Sequence, residues 1–139
     1  MMVEFRGIKL NYVEAKREKD TAVSGLNINI NIDDIKAIND DFAVDFTYTV
    51  NYAENVGYLK MGGTVYAKDT VAGAKKIEES WRMEKKIDPA IAQPLLNLIN
   101  FSSGVNGVFV ARAINLAPPL VPPRIEVSVK GGAAATKGR

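Results

Sequence analysis

Cysteine and histidine are both absent from the chain, and tryptophan occurs once. No stretch approaches the roughly twenty consecutive apolar residues that a membrane-spanning helix needs. Without cysteine there is no disulfide and no thiol nucleophile. Without cysteine and histidine together, nearly all ordinary zinc sites are excluded, which leaves only carboxylate sites for hard cations. Equally missing are a glycine-rich phosphate loop followed by lysine and Ser/Thr, a dinucleotide fingerprint, and a Ser/His/Asp or Cys/His set. Acidic neighbours do occur, at Asp33-Asp34, Asp40-Asp41 and Glu78-Glu79. Adjacent residues point to opposite faces of a strand and lie about 100° apart on a helix, so none of these is a working catalytic pair or a metal cage. The expectation is a protein that is not an enzyme and uses no cofactor or metal.

What is present is an ordinary globular composition. The 139 residues are 47% hydrophobic and 24% charged, enough chain for one core and too little for two comfortable ones. The opening MMVEFRGIKL has no long apolar core behind a basic start, so no secretory signal is read and a cytoplasmic location is expected. The net charge of +2 points weakly toward nucleic acid, but its distribution argues against it. Arg124, Lys130, Lys137 and Arg139 stand near the end of the chain against Glu126 alone, and the remainder carries one more acid than base. A nearly neutral body with a short basic tail does not track phosphates. Neither a nucleic-acid partner nor membrane insertion is expected.

The clearest pattern lies in residues 41–69. Phe42, Val44, Phe46, Tyr48, Val50 and Tyr52 alternate strictly with polar residues, and after the turn-like Ala53-Glu54-Asn55-Val56-Gly57 the alternation resumes. There Leu59, Met61, Gly63, Val65 and Ala67 share one side, while Tyr58, Lys60, Gly62, Thr64, Tyr66 and Lys68 share the other. These predict an antiparallel hairpin with one apolar face. Upstream, Leu26, Ile28, Ile30 and Ile32 alternate with Asn27, Asn29 and Asn31 in a second strand, which turns at Asn39-Asp40. A first strand over residues 3–14 is expected to carry Ile8, Leu10 and Tyr12 on one face. Asn27, Asn29, Asn31, Thr47, Thr49 and Asn51 make a polar, uncharged sheet face, either wet or a partner surface.

From Thr70 the period becomes helical: Val71, Ala74, Ile77 and Trp81 share a stripe, Thr70 caps, and Lys85-Lys86 suits a helix carboxyl end. Asp88-Pro89 starts a second helix as cap and first position, with Ile91, Leu95, Leu98 and Ile99 as its stripe. Ser102-Ser103-Gly104 and Gly107 interrupt this helix, yet Val105, Val108, Phe109 and Ala113 continue an apolar face. Between Leu95 and Ile114 only Arg112 is charged, more apolar surface than one sheet face requires. Leu95, Leu98, Ile99, Val105, Val108 and Phe109 are therefore candidates for an oligomer interface. Pro118, Pro119, Pro122 and Pro123 end the helix in extended chain. The following Arg124-Ile125-Glu126-Val127-Ser128-Val129 either adds an edge strand or stays loose. Residues 1–129 are expected to form a single α+β domain, a four-stranded antiparallel sheet covered on one face by C-terminal helices, with 130–139 a disordered basic tail.

This order of elements resembles the SecB family of protein-export chaperones. Asn115-Leu116-Ala117-Pro118 is similar to that family's turn after its main helix, and Gly62-Gly63-Thr64-Val65 resembles its fourth strand. The resemblance covers roughly residues 5–118. It implies a protomer that assembles into homodimers or homotetramers and holds unfolded polypeptide clients, including preproteins, without ATP. Two departures stand out. Pro119, Pro122 and Pro123 fall where the family continues into a second helix, and no Cys/His tail is present to bind zinc and dock the translocase motor. The expected function is an ATP-independent holdase, with a subunit of a larger assembly or an apolar-ligand carrier as alternatives. Tyr58 and Tyr66, opposite Leu59 and Val65, are the aromatics least committed to a core and the candidates for client or subunit contact.

Overall fold

The computed structural model describes residues 3–119 together with the backbone of 125–127. Strands β1 (Glu4–Arg17), β2 (Leu26–Ile38), β3 (Asp41–Tyr52) and β4 (Gly57–Lys68) are followed by helices α1 (Val71–Glu84) and α2 (Pro89–Ala113). A three-residue strand, β5 (Ile125–Val127), comes last. The sheet order is β1-β4-β3-β2-β5. The first four strands pair antiparallel, and β5 joins β2 in parallel. The chain between β1 and β2 therefore crosses from one edge of the antiparallel sheet to the other.

Alternation dictates which face is covered. Ile28, Ile30, Ile32 and Ile35 of β2, Phe42 through Tyr52 at every second position of β3, and Leu59, Met61, Val65 and Ala67 of β4 are all buried under the helices. Helix α1 brings Ala74, Ile77 and Trp81 onto β2 and β3, and α2 spans the four strands with its main contacts on β1 and β4. Asn29, Asn31, Thr47 and Thr49 lie half-buried on the opposite face, with Asn27 and Asn51 exposed. Hydroxyls there bond to carboxylates on neighbouring strands: Thr47 donates to Asp33 at 2.6 Å and Thr64 to Asp45 at 2.7 Å.

Three bulges interrupt the alternation, two in β1 and one in β2. Each sits where apolar residues are three apart instead of two: Phe5 to Ile8, Leu10 to Val13, and Ile32 to Ile35. An extra residue in the strand restores the phase, so the next apolar side chain again faces the helices. This corrects the expectation for Tyr12. The shift between Leu10 and Tyr12 turns its ring to the open face opposite Gly62, and Val13 takes the helix side opposite Met61.

Both helices begin as the sequence requires. The Thr70 hydroxyl accepts from Gly73 N at 3.0 Å, and the Asp88 carboxylate accepts from Ala90 N at 2.9 Å. Helix α1 ends with Lys85 in the left-handed region, its ammonium 5.2 Å from the Trp81 ring centre. Helix α2 runs unbroken through Pro94 and the glycines and ends at Asn115, whose φ of 57° lets Leu116 N bond back to Ala111 O at 2.9 Å. Leu116 then packs into the core, so the Asn-Leu-Ala-Pro turn is a left-handed helix stop with an apolar anchor. The expected tail at 130–139 and the segment 120–124 lie outside the described residues.

Candidate polypeptide-binding surfaces

Helix α2 has two apolar faces. Ile91, Leu95, Leu96 and Ile99 pack on the sheet, and the buried stripe continues as Ser103, Gly104, Gly107 and Ala111. The change from large to small side chains brings the helix close to β4, where a β-carbon on Gly107 would stand 3.2 Å from Met61 Cε. On the other side Phe101 is 71% exposed, Val105 41% and Phe109 72%. At spacing i, i+4, i+8 they form one ridge facing away from the core. On the edge strand β1, Val13 is also more than half exposed although it lies on the helix side of the sheet, opposite Met61. Toward the start of α2, Val3, Phe5, Ala90, Ile91 and Pro94 line an apolar groove of about 190 Å³ between edge strand and helix.

The open face of the sheet carries a tyrosine cluster. Tyr12 and Tyr58 both donate their hydroxyls to the Glu14 carboxylate. Those two hydrogen bonds, that of Tyr12 first, hold the Glu14 carboxyl below the ordinary value, and the carboxylate in turn raises both phenols. The Tyr12 ring stands over Gly62, where a β-carbon would meet Tyr12 Cβ at 3.5 Å. Tyr66 is 46% exposed on the same strand. This is an exposed aromatic surface with polar tips, suited to contact with another chain.

A third feature is an open cleft of about 540 Å³ where α2 ends, lined by Arg17, Ala22, Val23, Arg112, Asn115, Leu116 and Ala117. The Arg17 guanidinium donates to Asn115 O at 2.5 Å and to Thr21 O at 2.7 Å, tying the β1–β2 crossing to the helix stop. Tyr52 donates to Ala117 O from below, and burial pushes its phenol up to about 12. Among the described residues no group of three or more carboxylates is placed to hold a metal ion, and no helix is long and apolar enough to cross a membrane.

No protein-family profile matches the chain, and no curated protein matches its sequence. A solved structure does match in shape: the SecB-like chaperone Rv1957 of Mycobacterium tuberculosis, in complex with a ChAD peptide from the Rv1956 HigA1 antitoxin. The match covers 84% of this chain and 83% of that one, at 10% identity and a TM-score of 0.51. The fold is SecB-like.

On this SecB-like fold the expected site residues separate. Tyr58 and Tyr66 stand on the open face, Tyr66 exposed and Tyr58 half-buried with its hydroxyl on Glu14. Of the expected interface residues, Val105 and Phe109 lie on the exposed ridge and Leu98 and Val108 are half-buried. Leu95 and Ile99 are instead 1% and 0% exposed in the core of the single chain, because the sheet already covers that side of the helix. Phe101, the third member of the ridge, and Val13 were not among the expected residues. Phe101 was legible as the residue four before Val105 and eight before Phe109. Asn115, Leu116, Ala117 and Pro118 form the turn described above.

Proposed function

We propose that the chain is an ATP-independent chaperone that holds extended, apolar segments of unfolded polypeptide, preproteins among them, and works as a homo-oligomer. The observation that carries this is the apolar ridge of Phe101, Val105 and Phe109, left uncovered on a fold shared with a protein solved as a chaperone with a bound peptide. Apolar contact at roughly 25 cal/mol per Å², offset by the ordering of the client, gives affinity that follows client hydrophobicity more than sequence. The absence of any nucleotide-binding motif fits passive holding. The open-face tyrosines Tyr58 and Tyr66 supply a second contact to client or subunit.

The assay is suppression of aggregation of a chemically denatured model protein, without nucleotide, against an inert protein of matched size. Suppression at stoichiometric oligomer supports the reading. No suppression at several-fold excess, together with aggregation of the isolated chain, favours instead a subunit that needs a partner to cover the same ridge.

A further inference from the structure

Strand β2 forms the far edge of the antiparallel sheet, and its two halves are chemically unlike. The second half is closed to pairing. It carries the bulge between Ile32 and Asp34 and the charged side chains of Asp33, Asp34 and Lys36. Two of its backbone donors are already used: Ile35 N bonds to Asp34 Oδ1 at 2.9 Å, and Ala37 N bonds to Glu78 Oε2 of α1 at 3.0 Å. Bulges, charges and side-chain caps are the devices by which edge strands avoid adding further chains. The first half, Leu26-Asn27-Ile28-Asn29-Ile30-Asn31-Ile32, has none of them, no charge and no bulge.

That open half is where β5 sits. Ile125, Glu126 and Val127 pair in parallel with Ile28, Asn29 and Ile30. This pairing is short beside the twelve register pairs between β1 and β4. It is also parallel, the slightly weaker arrangement per residue. What holds it is the tether. Pro119 is buried against Gly107, which fixes the chain shortly before β5 and gives the strand a high effective concentration at the edge.

We propose that the first half of β2 is a strand-addition site for an extended client segment with alternating β-branched and polar residues, and that β5 occupies it in cis until a client displaces it. The proposal rests on the holdase reading and adds to it a site, a binding mode and a built-in competitor. Backbone hydrogen bonds to the β2 edge supply sequence-tolerant affinity, and alternate side chains meet the Ile28/Ile30 face on one side and the asparagine face on the other. A tethered strand of three residues is replaced by any free segment that pairs over more of the edge.

The test uses the full chain with Ile125→Pro and, separately, Glu126→Pro, since adjacent residues of a strand donate in opposite directions and one of the two must lose a bond to β2. The readout is amide hydrogen exchange at residues 27–31, with reduced, carboxymethylated α-lactalbumin as the unfolded probe. At least one variant is expected to exchange tenfold faster there and to bind the probe at least threefold tighter than the parent. Bound probe is expected to slow that exchange again. Unchanged exchange in both variants overturns the cis pairing. Faster exchange without tighter probe binding, or bound probe that leaves 27–31 unprotected, overturns the client site. A synthetic peptide of sequence Arg124-Ile125-Glu126-Val127-Ser128-Val129, added in excess to the deprotected variant, tests the edge without any chaperone activity. Restored protection supports strand addition, and its absence overturns it. Failure of parent and variants alike to bind the probe refutes the client assignment through the holdase reading, and the peptide result then shows separately whether the edge accepts a strand.

Discussion

Pro119 lies against Gly107 of α2 so closely that a β-carbon on the glycine would stand 2.7 Å from the proline ring. Two effects compete in Gly107→Ala. Alanine is favoured over glycine inside a helix by about 1 kcal/mol. The added methyl, however, meets Pro119 on one side and Met61 Cε at 3.2 Å on the other, and overpacking typically costs 1–3 kcal/mol. The clash is expected to win, with the melting temperature falling by several degrees. A rise, as helix propensity alone dictates, shows that Pro119 does not hold this position.

The sheet was legible because its signal is local. Strict alternation in the first half of β2 and along β3 and β4 needs no knowledge of the rest of the chain, and neither do Thr70 and Asp88 as caps or Asn39 at the β2–β3 turn, where its φ is 59°. Tyr12 departs from its expected face because the apolar spacing changes from two at Ile8–Leu10 to three at Leu10–Val13. A three-residue apolar spacing inside a strand marks a bulge, and the bulge flips every later side chain. Leu95 and Ile99 were grouped with Phe109 for a related reason. Four residues overshoot one helical turn by about 40°, so a stripe of i, i+4 steps winds round the helix. By Gly107 and Ala111 the sheet-facing side has moved on, and Phe109, almost in line with Leu95, points away. The parallel pairing of β5 joins residues nearly a hundred positions apart, and nothing local encodes its partner or direction.

Gly62 and Gly63 are adjacent yet differ in what they tolerate. A β-carbon on Gly63 runs into the Lys9 carbonyl and Leu10 Cα of the neighbouring backbone, which cannot swing aside. On Gly62 the nearest atoms are at 3.5 Å, an ordinary contact. Gly63→Ala is expected to lose about 1–3 kcal/mol, the usual range for overpacking, and Gly62→Ala to be neutral or mildly stabilising. Urea melts of both variants check this. Equal effects would show that β1 is not held at this distance from β4.

Glu14 gives a pH signature with a definite sign. Its carboxyl titrates below the ordinary carboxylate value because Tyr12, and then Tyr58, donate to the ionised form. A depressed folded value stabilises above the unfolded pKa and is lost as pH falls through the folded one. The two phenols titrate above 10.0 for the converse reason, so their contribution is present below that value and lost as pH rises past the folded one. The urea-midpoint difference between parent and Glu14→Gln is therefore expected to be flat near neutrality and to shrink toward both extremes. The group is exposed, so the plateau is small. A difference that grows on acidification contradicts the double acceptor.

Phe101 and Phe109 decide whether the α2 ridge is a working surface. Both are more than two-thirds exposed, so Phe101→Ser with Phe109→Ser removes nothing from the protomer core, and the melting temperature of the isolated protomer should change little. Burying a phenylalanine side chain contributes about 1.5–3 kcal/mol. In a symmetric dimer that buries both rings from each copy, four rings are lost, of order 6 kcal/mol at the least. At about 1.4 kcal/mol per tenfold, that weakens the dimer by some four powers of ten, enough to turn a nanomolar dimer into a monomer at micromolar concentration. Light scattering reads this directly, and the aggregation assay reads client holding on the same sample. Dissociation with suppression retained makes the ridge a subunit interface. Loss of suppression from an intact oligomer makes it a client surface, and a variant unchanged in both leaves Phe101 and Phe109 with neither role and moves the client contact to Tyr58, Tyr66 and the edge of β2.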